Sequence, residues 1–166
     1  MTPDLRRIIE AGAKEHAREA SLLTTYERWD REAAETWPND APERAELVAS
    51  AGKLAVRRKE VEDALAHARA ILDGSASCEL TQKFRLVIEA GIKWLECDSR
   101  ALFCRAWSYR YQASASNATA HSARFFADEA EQCDAERKKL EALIEQARAI
   151  LGRPSLASAI AKEASL

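Results

Sequence analysis

The sequence predicts an all-α protein: an up-and-down antiparallel four-helix bundle built from two duplicated long hairpins with coiled-coil-like seams. Three observations carry that expectation. Alanine fills 34 of 166 positions against 5 glycines and 4 prolines, and Ala, Leu, Glu, Arg and Lys are the residues that lose least on entering a helix. The chain also repeats itself, since residues 2–72 lie on 81–151 at a constant offset of 79 without a gap, and 20 of the 71 aligned positions are identical. Shared helical composition gives roughly six or seven chance identities in such a window, so the match reads as an internal duplication. The third observation is punctuation. Pro38, Gly74, Gly152 and Pro154 fall between long stretches of helix-forming sequence.

The first helix opens at Thr2-Pro3-Asp4, where Thr can cap and Pro is tolerated at the first helical position. It should run to about Thr36, because the ring of Pro38 disfavours helical geometry at Trp37. Asp40-Ala41-Pro42-Glu43 resembles a capping box and opens the second helix. That helix continues to about Leu72, where Asp73-Gly74-Ser75 closes it in the Gly-ended way. Ser77 with Glu79 is expected to open the third helix, which reaches about Gln112. Ser114 to Thr119 falls where the first repeat makes its turn, so the second hairpin should bend there, although no Gly or Pro interrupts residues 92–151. An unbroken helix from Ser77 to Leu151 would span on the order of 110 Å and force a swapped or extended dimer. The fourth helix then runs from about His121 to Leu151 and stops at Gly152-Arg153-Pro154. The expected organisation is one compact domain: hairpin repeat 1 over 1–76, hairpin repeat 2 over 77–152 and a short helical tail over 153–166.

The second helix places Leu47, Ala51, Leu54, Arg58, Val61, Leu65, Ala68 and Leu72 at alternating steps of four and three, the spacing of a coiled-coil seam. The fourth repeats it with Phe126, Ala130, Cys133, Arg137, Leu140, Ile144, Ala147 and Leu151. Each seam carries one arginine at the same place, and the seams of the first and third helices carry an acid at a matching place, Glu19 and Asp98. Folding each hairpin about its turn predicts Glu19 opposite Arg58 and Asp98 opposite Arg137. Such partly buried ion pairs fix register more than they add stability. The same folding sets Gly12 against Leu65 and Gly91 against Ile144. A catalytic or anion-binding cluster made of both pairs is the sharper alternative, but an adjacent guanidinium pushes a carboxylate away from the raised pKa that acid–base work needs.

Other chemistry finds little support. Di-iron bundles use Glu-x-x-His on their helices, and none of His16, His67 or His121 has an acid three residues earlier. Cys97 and Cys104 lie seven residues apart, about 10.5 Å along a helix, too far for one zinc or one disulfide. Cys78, near the start of the third helix, could have a depressed pKa, yet no histidine is placed beside it as a base. No catalytic residue, metal or cofactor is therefore expected. A net charge of −2 does not imply a polyanionic partner. No apolar run approaches the roughly 20 residues that cross a bilayer, and the N-terminus lacks a signal-peptide core. These features lead us to expect a cytosolic protein with free thiols.

The two copies diverge most between the first and third helices. Trp94, Phe103, Trp107 and Tyr111 replace Glu15, Thr24, Arg28 and Glu32, giving the third helix an aromatic side beyond its seam. Trp, Tyr and Arg are the enriched anchors of interfaces. Those four residues, with Arg105, Arg110 and, on the first hairpin, Trp29, are the candidate surface for docking a partner protein or a second copy of the chain. The expected function is non-enzymatic: an adaptor, assembly factor or protein inhibitor. The alternative is a nucleic-acid accessory protein in which Arg100, Arg105, Arg110 and Arg124 track a single strand while the aromatics stack on bases. A third class is an enzyme using Cys78 or the two charge pairs.

Overall fold

A computed structural model describes residues 1–115 and 118–152. It is all-helical, with α1 (Pro3–Glu35), α2 (Pro42–Leu72), α3 (Gln82–Ala113) and α4 (Ala120–Ile150), no strand among the described residues, and bundle-like contacts between helices. Ser116 and Asn117 of the expected turn, the stop at Arg153-Pro154 and the tail over 153–166 lie outside the described residues.

The helix ends follow local chemistry. Thr2 Oγ1 accepts a hydrogen bond from Leu5 N at 3.2 Å, capping α1. The expected capping box at Asp40 does not form: the cap of α2 is Ala41, extended at φ −70° and ψ 131°, with no side-chain cap. A residue before proline is held in extended geometry, so Pro42 moves the helix boundary one residue past Asp40. The third helix likewise opens later than expected. Ser77 Oγ caps only a turn, accepting from Glu79 N at 3.1 Å, whereas Thr81 Oγ1 accepts from Phe84 N at 3.2 Å and caps α3. Thr81 is the repeat-mate of Thr2. Between α3 and α4 the chain bends, with Thr119 Oγ1 accepting from Ser122 N at the start of α4. Gly74 ends the segment after α2 at φ 83°, a conformation costly for residues with a Cβ.

Two compact units emerge. The first comprises Met1 and Ile9–Gly91. Its core combines Ile9 and Ala11 of α1, Val61, Ala64, Ala68 and Ile71 of α2, and Phe84, Val87 and Ile88 of α3. Helix α1 meets α3 backbone to backbone: a Cβ added to Gly12 would lie 2.2 Å from the Val87 carbonyl oxygen. The expected socket for Leu65 at Gly12 is therefore corrected, since it is the main chain of α3 that occupies the space. Toward the α1–α2 turn the buried positions become Ala34, Ala51 and Glu27, while Leu22, Tyr26, Trp29, Val48 and Val56 stand exposed.

The second unit comprises Thr2–Ile8 and the chain from Ile92 onward. Its core uses Ile8, Ile92, Leu95, Leu143, Ile144, Ala147 and Leu151. Gln146 Nε2 donates to Asp4 Oδ2 at 3.2 Å. Toward the α3–α4 turn the buried residues are small, Ala106, Ala130 and Cys133; Tyr109 and Phe126 are half-buried and stack on each other at 6.1 Å, while Phe103, Trp107, Tyr111 and Phe125 are exposed.

Candidate interaction surface and buried charges

The aromatic side expected of α3 is present and exposed. Phe103, Trp107 and Tyr111 are 50%, 63% and 69% accessible, and their spacing of four residues keeps them within one narrow stripe of the helix. Trp107 and Tyr111 stack with ring centroids 6.0 Å apart. The Arg137 guanidinium of α4 sits 5.4 Å from the Phe103 ring centroid, within cation–π range. Arg110 is held by Asp134. Trp94 is half-buried and does not extend the stripe as an exposed anchor. Trp29, in the other unit, is exposed and packs tilted against Tyr26 at 5.6 Å.

Ala106 of α3 and Ala130 and Cys133 of α4 are buried, and nearer the turn the half-buried rings of Tyr109 on α3 and Phe126 on α4 stack on each other at 6.1 Å, whereas Phe103, Trp107 and Tyr111 stay outside. A contiguous exposed apolar stripe of this kind is what distinguishes interaction surfaces from ordinary surface.

Arg105 behaves differently. It lines an open groove of about 520 Å³ with Arg7, Asp98, Leu102, Glu136 and Lys139. Five residues separate Arg100, Arg105 and Arg110, so each is turned by about 140° from the last. They do not share one strip that could follow a phosphate backbone, and Arg110 already has a carboxylate partner. Arg124 is exposed on α4.

The expected charge pairs are rearranged. Glu19 Oε1 accepts from Arg57 Nη2 at 3.1 Å, not from Arg58. Arg58 instead reaches Glu27 at 3.1 Å and Glu62 at 2.9 Å. Glu27, which the seam pattern passed over, is one of two buried acids of α1 and is also gripped by Arg31 at 2.6 Å. The physical reason is a seam that rotates along α1: Tyr26 turns outward and Glu27 inward, so the acid facing Arg58 lies two turns beyond Glu19. In the second unit Asp98 is exposed in its groove and makes no ion pair with Arg137. Arg137 pairs with Glu141 at 3.6 Å and covers Phe103. The repeated arginine is thus retained, but the expected acid opposite it is not.

Two further polar groups are buried in the first unit. Glu15 is 1% accessible and takes a two-pronged grip from Arg18 at 2.9 Å on both oxygens. His16, buried beside it, makes no hydrogen bond of ordinary geometry with either ring nitrogen. Burial pushes its pKa below the usual 6.5. Glu19, the nearby Leu86 backbone and Glu15 oppose that shift, and Arg57 adds to it. The signal for Glu27 was available in the sequence as the i, i+4 pair with Arg31; nothing in the sequence marked Glu15 as buried.

Cys78, Cys97 and Cys104 are exposed free thiols and Cys133 is a buried one. Among the described residues no group of three or more His, Cys, Asp or Glu is placed to hold a metal ion, and no helix is long and apolar enough to cross a membrane. No protein-family model matches the chain, and no curated protein or solved structure is significantly similar to it.

Proposed function

We propose that the chain is a non-enzymatic helical protein–protein interaction module, an adaptor, assembly factor or protein inhibitor, whose docking element is the aromatic, arginine-bearing face of α3. The observation that carries this reading is the exposure of three rings, Phe103, Trp107 and Tyr111, along one stripe of α3. Each such ring left in water forgoes a substantial part of the ~1.5–3 kcal/mol that burying a large apolar side chain contributes. A partner chain recovers it.

We also read the two hairpins as copies of one ancestral hairpin with four-three seams, in an up-and-down bundle. Support comes from matched burial at repeat-mates, Ala51 with Ala130 and Ala68 with Ala147, and from the matched caps at Thr2 and Thr81. On this reading the first copy kept charged residues where the second acquired rings, and function followed the rings.

Affinity capture from the native host, comparing the wild type with Trp107→Ala, tests the reading. The variant should lose a specific partner that the wild type retains, by at least tenfold in recovery, as expected for an anchor worth more than about 1.4 kcal/mol. Equal recovery of every partner removes α3 as the docking face. Salt-dependent binding of a single-stranded oligonucleotide that disappears in Arg105→Ala and Arg110→Ala would move the assignment to nucleic acid.

A further inference from the structure

His16 stands where packing alone has no need of a polar group. Its repeat-mate is Leu95, buried in the second unit, so an apolar side chain of comparable size fills the matching place there. In the first unit the imidazole is 4% accessible, and both ring nitrogens are buried with no hydrogen-bond partner. Buried polar atoms are nearly always paired, so these two nitrogens call for an explanation other than packing.

The groups acting on the ring come from three helices. On α1, Glu15 is committed to Arg18, which grips both of its oxygens at 2.9 Å. Glu19 follows His16 by three residues, a spacing that makes side chains neighbours on a helix surface. From α2, Arg57 donates to Glu19 Oε1 from Nε at 3.2 Å and from Nη2 at 3.1 Å, and its Nη1 donates to Glu60. The second oxygen of Glu19, Oε2, accepts no hydrogen bond among the described residues. On α3, the backbone of Leu86 favours the charged ring, which makes its carbonyl the group within reach. A neutral imidazole has one donor and one acceptor nitrogen, whereas the imidazolium has two donors and no acceptor. The junction holds two acceptors, Glu19 Oε2 and the Leu86 carbonyl, while every nitrogen of the one cation acting on the ring is already directed at a carboxylate. Its hydrogen-bonding groups match the protonated ring, not the neutral one.

We propose that His16 is a proton-operated catch at the junction of α1, α2 and α3. Neutral, the ring lies in the junction without partners. On taking a proton from solvent it donates one N–H to Glu19 Oε2 and the other to the Leu86 carbonyl. Glu19 then bridges Arg57 of α2 and His16, and His16 joins α1 to α3. Burial of the charge opposes the step most strongly; Glu19, the Leu86 carbonyl and Glu15 offset part of that cost, and Arg57 adds to it. The catch therefore closes below the pH at which an ordinary histidine titrates. It closes in a fold that is less stable overall, because the new bonds return only part of what burying the charge costs.

Nuclear magnetic resonance of the intact chain with nitrogen-labelled imidazoles, titrated from about pH 8 to about pH 4.5, tests the proposal. His16→Leu, which installs the residue of the second repeat, identifies the His16 signals among those of His67 and His121. As His16 gains its proton, both of its N–H groups should appear as separate resonances, protected from solvent exchange by roughly tenfold or more relative to the exposed His121. Glu19→Ala leaves no acceptor on that side, so one N–H should lose its protection while the other keeps it, and the His16 midpoint should move to lower pH. Arg57→Ala removes the opposing cation, so the midpoint should move to higher pH with both N–H groups still protected. Far-UV circular dichroism checks that each variant keeps its helicity. A protonated ring that exchanges as fast as His121 has turned out to solvent, and the catch does not exist. Protection of both N–H groups unchanged in Glu19→Ala also overturns the proposal, as does a His16 that stays neutral until the chain unfolds.

Discussion

Gly12 and His16 show how much hangs on single residues where α1 meets α3. A Cβ on Gly12 would have to displace the Val87 carbonyl, 2.2 Å away, and a backbone atom cannot swing aside as a flexible side chain can. Gly12→Ala should therefore destabilise the fold by about 1–3 kcal/mol, against the ~1 kcal/mol that alanine ordinarily gains over glycine inside a helix. Gly52 is the control. Nothing lies within 4 Å of a Cβ there, so Gly52→Ala should stabilise by about 0.5–1 kcal/mol. Urea denaturation of the two variants decides the matter, and equal shifts of the same sign would contradict the close approach. For His16 the sign follows from its depressed folded pKa. Between that value and the usual 6.5 the unfolded chain binds more protons, so stability is full above about pH 6.5 and is lost as pH falls through the window. His16→Leu installs the residue that the second repeat has at Leu95, and should flatten the change in urea midpoint between about pH 8 and about pH 5.5. An unchanged slope would mean that another group carries the titration.

Helix α1 is also where the reading of elements met its limit. On α2 and α4 only part of the expected seams is buried, Ala51, Val61 and Ala68, and Ala130, Cys133, Ile144, Ala147 and Leu151, while Leu54, Leu65, Leu72, Phe126 and Leu140 are half-buried and Ala64, Ile71 and Leu143, off the expected spacing, are buried as well. Along α1 the pattern offers acids at several phases, and spacing alone cannot say which of Glu15, Glu19 or Glu27 turns inward. For Glu19 and Glu27 the answer depends on which arginine of α2 reaches each acid, contacts remote in sequence. Glu27 won because both Arg31 and Arg58 reach it. Loss of its charge should then cost more than loss of the charge on Glu19, whose partner Arg57 is nearly half exposed. Thermal or urea unfolding should place Glu27→Gln about 2 kcal/mol below the wild type and Glu19→Gln within about 1 kcal/mol of it. The reverse order would return the register-setting role to Glu19.

At the scale of the whole molecule, helix number and the bend between α3 and α4 followed from composition and the repeat, whereas the grouping of segments did not. A repeat drawn from sequence ends near residue 76, but the first compact unit continues to Gly91, and the second takes in Thr2–Ile8. Sequence periodicity sees neighbours along the chain; it has no means of showing that Phe84, Val87 and Ile88 complete the core that begins with Ile9. A fragment of residues 1–76 would therefore lose three core side chains that are at most 2% accessible. At ~1.5–3 kcal/mol for each large apolar side chain returned to water, the loss is comparable with the whole ~5–15 kcal/mol stability of a domain. The fragment should show reduced helicity and no cooperative melt by itself, and should recover both when mixed with a fragment of residues 77–166 that supplies the missing face. Cooperative unfolding of the isolated 1–76 fragment as a monomer would show instead that one hairpin suffices, and that the start of α3 contributes little to the core it appears in.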